Sequence, residues 1–567
     1  MKLLAEAAES CRELTIEEDE EDDQLNPSSL QCGEGVLLDL SSQPVERTGA
    51  LLRRGAAFIG TIAAKGCFCA VVIPEDSDHQ LGNGLREHLV RIGRPDARSV
   101  FVEHLRLHRV AHGDANLDLP ELEPRLVRGT MAELSLLASR IADTGGNDEL
   151  FRARLGRALE AFRTRSEEIS SWVRARDDGD GEHALVLSAA MLAGAHTDAV
   201  FAATESLLDV VDSEADRNAL QRRGISERLA GLGLVVDGDC HAWFKRPDFD
   251  HHVRRYFWRD HPGLRETLRD WIGRIALDPA LSEPTRNEVV VRFAEQVLAI
   301  GQVDHVWQLV EQWVAGAGEA RSNPALGYAA VLLRIGLVDE RFGGLFRWLV
   351  YRWARNAPLS SSFDVVLINL CERVIAPSFA QSALVRLRHL ARRDDAQVAE
   401  EAIGRLEVLA NNRSFLRRAL YKVSYELGKK QELPDVQLFL RIVSPERLVE
   451  RGAVRPLVAD AGVRGQLVTG WRSAMLRDVS AWEGSARRWL EVAADDSKYG
   501  ARLLDVLVES GRDSTAALGC LYGVARRWMR EVSGDQRIRR SRLVAELGGR
   551  IDASQELELT ATAGETA

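Results

Sequence analysis

Asp39 closes an apolar run, Val36-Leu37-Leu38-Asp39-Leu40-Ser41. An acid at the end of an apolar strand can hold a magnesium ion beside a bound nucleotide. That chemistry also needs a phosphate cradle of the form Gly-x-x-x-x-Gly-Lys-Ser/Thr, and the sequence carries none. The next residue is Leu40, not a second acid that could polarise an attacking water. The structural alternative for Asp39 is an acid that caps the turn after a strand. No Ser/His/Asp order, HExxH, GxSxG or paired-carboxylate arrangement stands out elsewhere, so no catalytic residue is assigned and hydrolysis by this chain alone is not expected.

Other groups invite different chemistry. Arg222, Arg223 and Arg228 fall on a helix that would be the third of a helical unit with a hairpin, the position that reads DNA in such units. Asp198, Asp209, Asp212, Glu214, Asp216, Asp237 and Asp239 surround it with negative charge, which favours a structural hinge over a DNA reader. Residues 241–271 are dense in aromatic and basic side chains, and His251, His252 and His261 with Asp250 and Asp260 suggest metal ligands. Val253, Phe257 and Trp258 have helical spacing, however, and a buried stripe with a charged outer face is the stronger reading. Arg254, Arg255, Arg259 and Lys245 offer themselves to phosphates as the alternative. Cys67 and Cys69 flank Phe68 on one face of a strand without a partner Cys-x-x-Cys, so burial is expected rather than zinc. The seven acids Glu17 to Asp23 repel one another and read as a solvated run.

The elements around these residues fall into three styles. Residues 1–112 alternate helix and strand: helix 2–10, a strand near Leu14–Ile16, strand 36–40, helix 46–64, strand 67–73 and a short strand over Leu89–Pro95. Such alternation implies a parallel α/β sheet. Asp96 is expected to cap the helix through Val100, Phe101 and Leu105. A polar linker with Pro120 and Pro124 leads to a helical lid or linker unit over 125–176, with two amphipathic helices within 131–172. Over 183–248, helices at 183–194, 198–211 and 220–233 precede two short strands about Asp237-Gly238-Asp239, and Asp-Gly is a strong hairpin signal. Together they spell a winged helix-turn-helix. From 250 to 550 the spacing i, i+3, i+4, i+7 recurs in Val306/Leu309/Val310/Trp313, Phe346/Leu349/Val350/Trp353, Leu416/Ala419/Leu420/Val423 and Leu521/Val524/Ala525/Trp528. No strict period accompanies it, so an irregular α-solenoid is expected, followed by a flexible tail over 551–567. The fold class is therefore mainly α, with an N-terminal incomplete P-loop-like α/β domain.

Bulk properties agree with several domains: 567 residues, 45% hydrophobic and 28% charged. No apolar run reaches the roughly 20 residues that span a bilayer, and the start lacks a signal pattern, so a cytoplasmic protein with no membrane segment is expected. Seven scattered cysteines read as reduced thiols. A net charge of −11 argues against a surface that grips nucleic acid throughout, but leaves room for a local basic face.

The order of parts carries a resemblance. VLLDLS, FCAVVIP, RPDARSVFVEHL, HALVLSAAMLAGAHTDAVF, GLGLVVDG and YFWRDHPGLRETLRDW together resemble actinobacterial P-loop NTPase-like regulators of the STAND class. The resemblance implies a nucleotide domain, a winged helix and a helical array in that order, with ATP and magnesium as cofactors of a complete form. Only Asp39 maps onto a functional position of that class, as a remnant magnesium-associated acid. Without the phosphate loop, which should precede Met1, the expectation is a regulatory scaffold whose nucleotide switching is lost or truncated and which binds a protein partner through its array. The alternatives are a winged-helix transcriptional regulator on DNA, and an active ATPase if the true start lies upstream.

Overall fold

The computed structural model describes residues 10–13, 33–40, 52, 59–73, 81, 86–91, 93, 95–113, 119–128, 131–143, 151–159, 180–211, 224–246, 249–356, 358–449, 456–495 and 498–564. The acidic run 17–23, residues 2–9 of the helix expected at 2–10, the strand expected at 14–16 and Arg222 and Arg223 lie outside them. The protein is mainly α-helical, as its patterning predicts. Among the described residues no helix is long and apolar enough to cross a membrane.

Three parallel strands, β1 (Ser10–Glu13), β2 (Glu34–Asp39) and β3 (Phe68–Val72), form a sheet in the order β1-β2-β3. Alternation places Val36, Leu38 and Leu40 in the interior, with Ile62 and Cys67 beside Val36 and Leu52 and Leu81 beside the other two. Two local expectations need correction. Ser10, expected in a helix, is a strand residue paired with Glu34. The described residues among 89–95 form no strand, and Pro95 has no N–H to give a ladder.

α1 (Ala97–Leu107) begins where its cap signal predicts: Asp96 accepts from the Ser99 N–H at 2.9 Å. Phe101 and Leu105 pack with Leu134, Leu137 and Ile141 of α3 (Met131–Asp143) and with Phe151 and Leu155 of the helical stretch 151–159. Between them α2 (Glu123–Arg128) is a short helix within the expected linker, anchored by fully buried Leu122. The core of α1 is thus shared with α3 and residues 151–159, across the boundary expected at 112.

α4 (Asp180–Met191), α5 (Thr197–Val211) and α6 (Ile225–Gly231) precede an antiparallel hairpin, β4 (Leu234–Val236) and β5 (Ala242–Phe244). Asp237 makes the turn, its Oδ1 accepting from the Asp239 and His241 N–H groups at 3.0 and 2.8 Å. Residues 194–197, between α4 and α5, also pair with the hairpin: Gly194 N donates to Ala242 O and Thr197 N to Cys240 O, both at 2.8 Å.

The remaining helices are α7 (Phe249–Asp260), α8 (Arg265–Ile275), α9 (Glu283–Ile300), α10 (Asp304–Ala317), α11 (Pro324–Val338), α12 (Gly343–Arg355), α13 (Ser361–Leu370), α14 (Ala380–Leu390), α15 (Ala396–Leu409), α16 (Arg413–Lys429), α17 (Leu433–Ile442), α18 (Pro445–Val449), α19 (Ala461–Met475), α20 (Val479–Asp495), α21 (Gly500–Gly511), α22 (Thr515–Arg530) and α23 (Gly534–Gly564). They stack in two layers, each helix touching the next one of its own layer, with the short α18 outside both. One layer runs α7, α9, α11, α13, α15, α17, α20, α22, and the other α8, α10, α12, α14, α16, α19, α21, α23. All sixteen residues of the four periodic stripes are buried. Side-chain caps set many starts: Ser282, Asn323, Ser360, Asp395, Asn412, Asp460 and Ser514 each accept from a first-turn N–H. One hydrophobic core runs from Ala184 to Leu547. Where a flexible tail is expected after 551, the backbone stays helical to Gly564, and Gln555 Nε2 donates to Thr515 Oγ1 at 3.2 Å.

Candidate functional site

Asp39 is the last residue of the central strand β2, with its backbone opposite Val72, and Leu40 N donates to Val72 O at 2.8 Å. It therefore stands at the carboxyl end of a parallel sheet, the edge at which open α/β sheets bind ligands. Cys67, just before β3, is buried and Cys69 on β3 is half-buried, and desolvation pushes the Cys69 thiol up to about 11, which keeps it protonated and a poor nucleophile.

Arg228 on α6 does not face outward. Its Nε donates to Glu182 Oε1 at 2.8 Å and its Nη2 to Gly181 O at 3.3 Å, and its side chain is only 11% exposed. The guanidinium ties α6 to the start of α4. The exposed feature of this unit is instead the outer face of the hairpin, where Val235 and Trp243 are directly paired and about half exposed. Gly194, at φ 87°, gives the Trp243 ring room, since a Cβ there would lie 2.6 Å from it. Below the hairpin a cavity of about 260 Å³ is lined by residues 230–233, Phe244, Lys245, Arg246 and Phe249.

The aromatic and basic patch behaves as a core stripe. Val253, Phe257 and Trp258 are buried. Asp250 pairs with Arg254 at 2.7 Å, Asp260 with Arg259 at 2.6 Å, and the His261 ring stacks on Phe257. The Asp260 carboxyl is held below its usual range first by the hydrogen bond from Arg259. Arg254 is itself buried and donates to Ala190 O at 2.5 Å, so it serves the joint between α4 and α7 rather than a phosphate. Among the described residues no three His, Cys, Asp or Glu side chains are placed to hold a metal ion.

Polar chemistry is concentrated instead in contacts between successive hairpins of the array. The Arg388 guanidinium bonds both oxygens of Asp435 at 2.8 and 3.0 Å, with both side chains almost wholly buried, and also meets Glu426 at 3.2 Å. Arg393 grips Asp364 at 2.8 Å; burial still raises the Asp364 carboxyl, against the lowering by Arg393. Trp313, Trp353, Trp489 and Trp528 each donate their indole N–H to a group 37 to 46 residues earlier: Gly273 O, Glu311, Val443 O and Glu491. This recurring cross-hairpin ladder ties each hairpin to the one before it. Sequence reasoning missed it because it lies between helices whose separation in sequence varies. The chain matches no family model, no curated protein and no solved structure.

Proposed function

We propose that this chain is a regulatory scaffold that binds a protein partner along its helical array, and that its order of parts is that of a STAND-like regulator. The observation that carries the reading is the two-layer stack from α7 to α23, an α-solenoid in this view, because stacked helices give extended surfaces for protein partners. Exposed apolar side chains mark the ends of its helices: Val338 on α11, Val408 on α15 and Leu476 beyond α19. In this reading α4–α6 with the hairpin form a winged helix, supported by the pairing of residues 194–197 with residues 240–242 of the hairpin, and serve as a structural module fused to the array. The test is capture from the source cells followed by cross-linking. The scaffold reading expects cross-links within 250–550 and a loss of about tenfold in affinity, roughly 1.4 kcal/mol, in a Val338→Ser/Val408→Ser/Leu476→Ser variant. Equal capture by that variant, or cross-links confined to the sheet, removes it.

The second reading is a nucleotide switch, favoured by the position of Asp39 at the carboxyl end of the central strand. Titration with magnesium ATP decides: binding that Asp39→Ala abolishes replaces the scaffold by a switch, with ATP and magnesium as cofactors. A DNA-reading role for the winged helix would have to rest on Arg222 and Arg223, since Arg228 is committed to Glu182.

A further inference from the structure

Along the array, arginines repeatedly meet carboxylates of a neighbouring hairpin: Arg417 with Asp460, Arg441 with Glu400 and Glu407, Arg464 with Glu509, Arg487 with Glu531. The last hairpin departs from this pattern. Residues 526–542 contain seven arginines against two carboxylates, Glu531 and Asp535, in a chain whose net charge is −11. Arg527 pairs with Glu483 and Arg540 with Glu491, while Glu531 is held by Arg487. Arg526, Arg530, Arg537, Arg539 and Arg542 are exposed, and none has a carboxylate within ion-pair distance among the described residues.

The fold accounts for only part of this concentration: Arg527 and Arg530 stand in the last turn of α22, where the helix dipole favours cations, and the other exposed arginines have no such support. Arg526 and Arg530 are four apart on one helix and Arg539 and Arg542 three apart on the next, like-charge spacings that destabilise a helix. Arg537 also stands at the first turn of α23, where the helix dipole favours acids and disfavours cations. A polyanion lying across both helices would reverse each of these costs. We propose that the turn end of the α22–α23 hairpin, where the last turns of α22 lead into the first turns of α23, forms a binding surface for the phosphate backbone of nucleic acid.

Protein interfaces have a desolvated apolar centre, whereas nucleic-acid interfaces are polar and strongly positive. Here Ile538 is the one large apolar side chain exposed on α23 among its described side chains, and Leu543, Val544 and Leu547 point into the core. Buried in this way, they cannot serve as the apolar face that an interfacial helix lays into lipid. Backbone contacts of this kind carry no sequence preference.

The test is fluorescence polarisation of the full chain with a labelled duplex of about 20 base pairs, titrated between about 50 and about 200 mM salt. Each neutralised phosphate contributes about −0.9 to the slope of log affinity against log salt, so five contacts give a slope of about −4.5 and a roughly 500-fold fall over that range. Arg537→Gln/Arg539→Gln/Arg542→Gln should move the slope toward zero by about 2.7, with the melting temperature no lower than that of the parent. No salt-dependent binding at low salt overturns the proposal, as does an unchanged slope in the variant. Equal displacement by poly-glutamate at matched charge also overturns it and assigns the face to acidic proteins. These arginines are distinct from the apolar residues tested for protein capture, so the two readings fail separately.

Discussion

Arg388 and Asp435 show what a single residue can hold in this array. Both side chains are almost fully buried, and the guanidinium reaches Asp435 with two hydrogen bonds and Glu426 with a third. Removing one member of a buried pair strands the other charge, which typically costs about 3–5 kcal/mol, whereas replacing both by apolar groups can be nearly neutral. Arg392 remains 3.8 Å from Asp435 and compensates part of its charge, so Arg388→Met should lower stability by about 3 kcal/mol, the low end of that range, in urea unfolding, and Arg388→Met/Asp435→Leu should recover part of that loss. Glu426 keeps Lys422 at 3.5 Å in the double variant, so its own charge stays matched. Equal losses in the single and double variants would show that the pair contributes packing and not charge compensation. Neither residue is legible as a partner in the sequence, because 47 positions separate them and nothing in either helix announces the other.

At the scale of elements, the helices are set by caps and by small residues at crossings. Gly470 on α19 faces the Phe439 ring of α17 so closely that a Cβ has no room, and Phe439 in turn meets Trp471 edge to face. Gly470→Ala should destabilise by about 1–3 kcal/mol through overpacking. Gly404, inside α15 with open space beside it, should respond in the opposite direction: Gly404→Ala is expected to add about 0.5–1 kcal/mol from helix propensity alone. Denaturant midpoints of the two variants test the contrast, and the same sign for both would remove it. The cap of α15 gives a pH dependence. Asp395 is held below the usual carboxylate range by the hydrogen bond from Ser361, then by the Val398 and Gln397 N–H groups. A lowered folded-state pKa contributes stability above the unfolded value, and that contribution disappears as pH falls through the folded one. Asp395→Asn keeps a capping oxygen but cannot titrate, so the acid limb of its stability profile, below about pH 4, should be shallower than that of the parent chain. Parallel acid limbs would show that the charge of Asp395 is immaterial.

These element starts mark how far the sequence could be read. Asp96, the Asp237-Gly238 turn and the four buried stripes are local signals and are realised as such, because a cap, a tight turn and a helical face each depend on neighbours within a few residues. Ser10 is less readable: parallel pairing with Glu34 overrides the helical pattern at this position, and no local signal encodes a partner 24 residues away. The repeat of the array is similarly hidden. Trp313 and Trp353, or Trp489 and Trp528, hold matching places in successive hairpins 40 (313 to 353) and 39 (489 to 528) residues apart, yet the residues between them are free to vary. Of the candidate site residues, Asp39 ends its strand as the apolar run predicts, whereas the commitment of Arg228 to Glu182, 46 residues away, is visible only once both helices are in place.

For the whole molecule the decisive fact is the continuity of the core. Apolar side chains from Ala184 to Leu547 form one cluster, while α1, α3 and the stretch 151–159 have their own. The joint between α4–α6 and the array is reinforced by polar contacts to backbone carbonyls: Trp271 of α8 donates to Ala203 O at 3.0 Å, Arg254 of α7 to Ala190 O, and Arg292 of α9 to Met191 O at 2.8 Å. A hinge moving as a separate body would not be expected to bury Trp271 and Arg254 against α5 and α4. Native-state hydrogen exchange should therefore find α4 and α5 losing protection at the same denaturant concentration as α7–α9, with α1 and α3 opening independently. Arg254→Met leaves Asp250 without its partner and Ala190 O without its donor, and should lower the opening energy of α4 and α7 together by about 2–4 kcal/mol while leaving α1 unchanged. Earlier opening of α4 and α5 in the parent chain would instead identify a hinge that separates from the array, and any regulation would then pass through that motion instead of through the array as a single cooperative body.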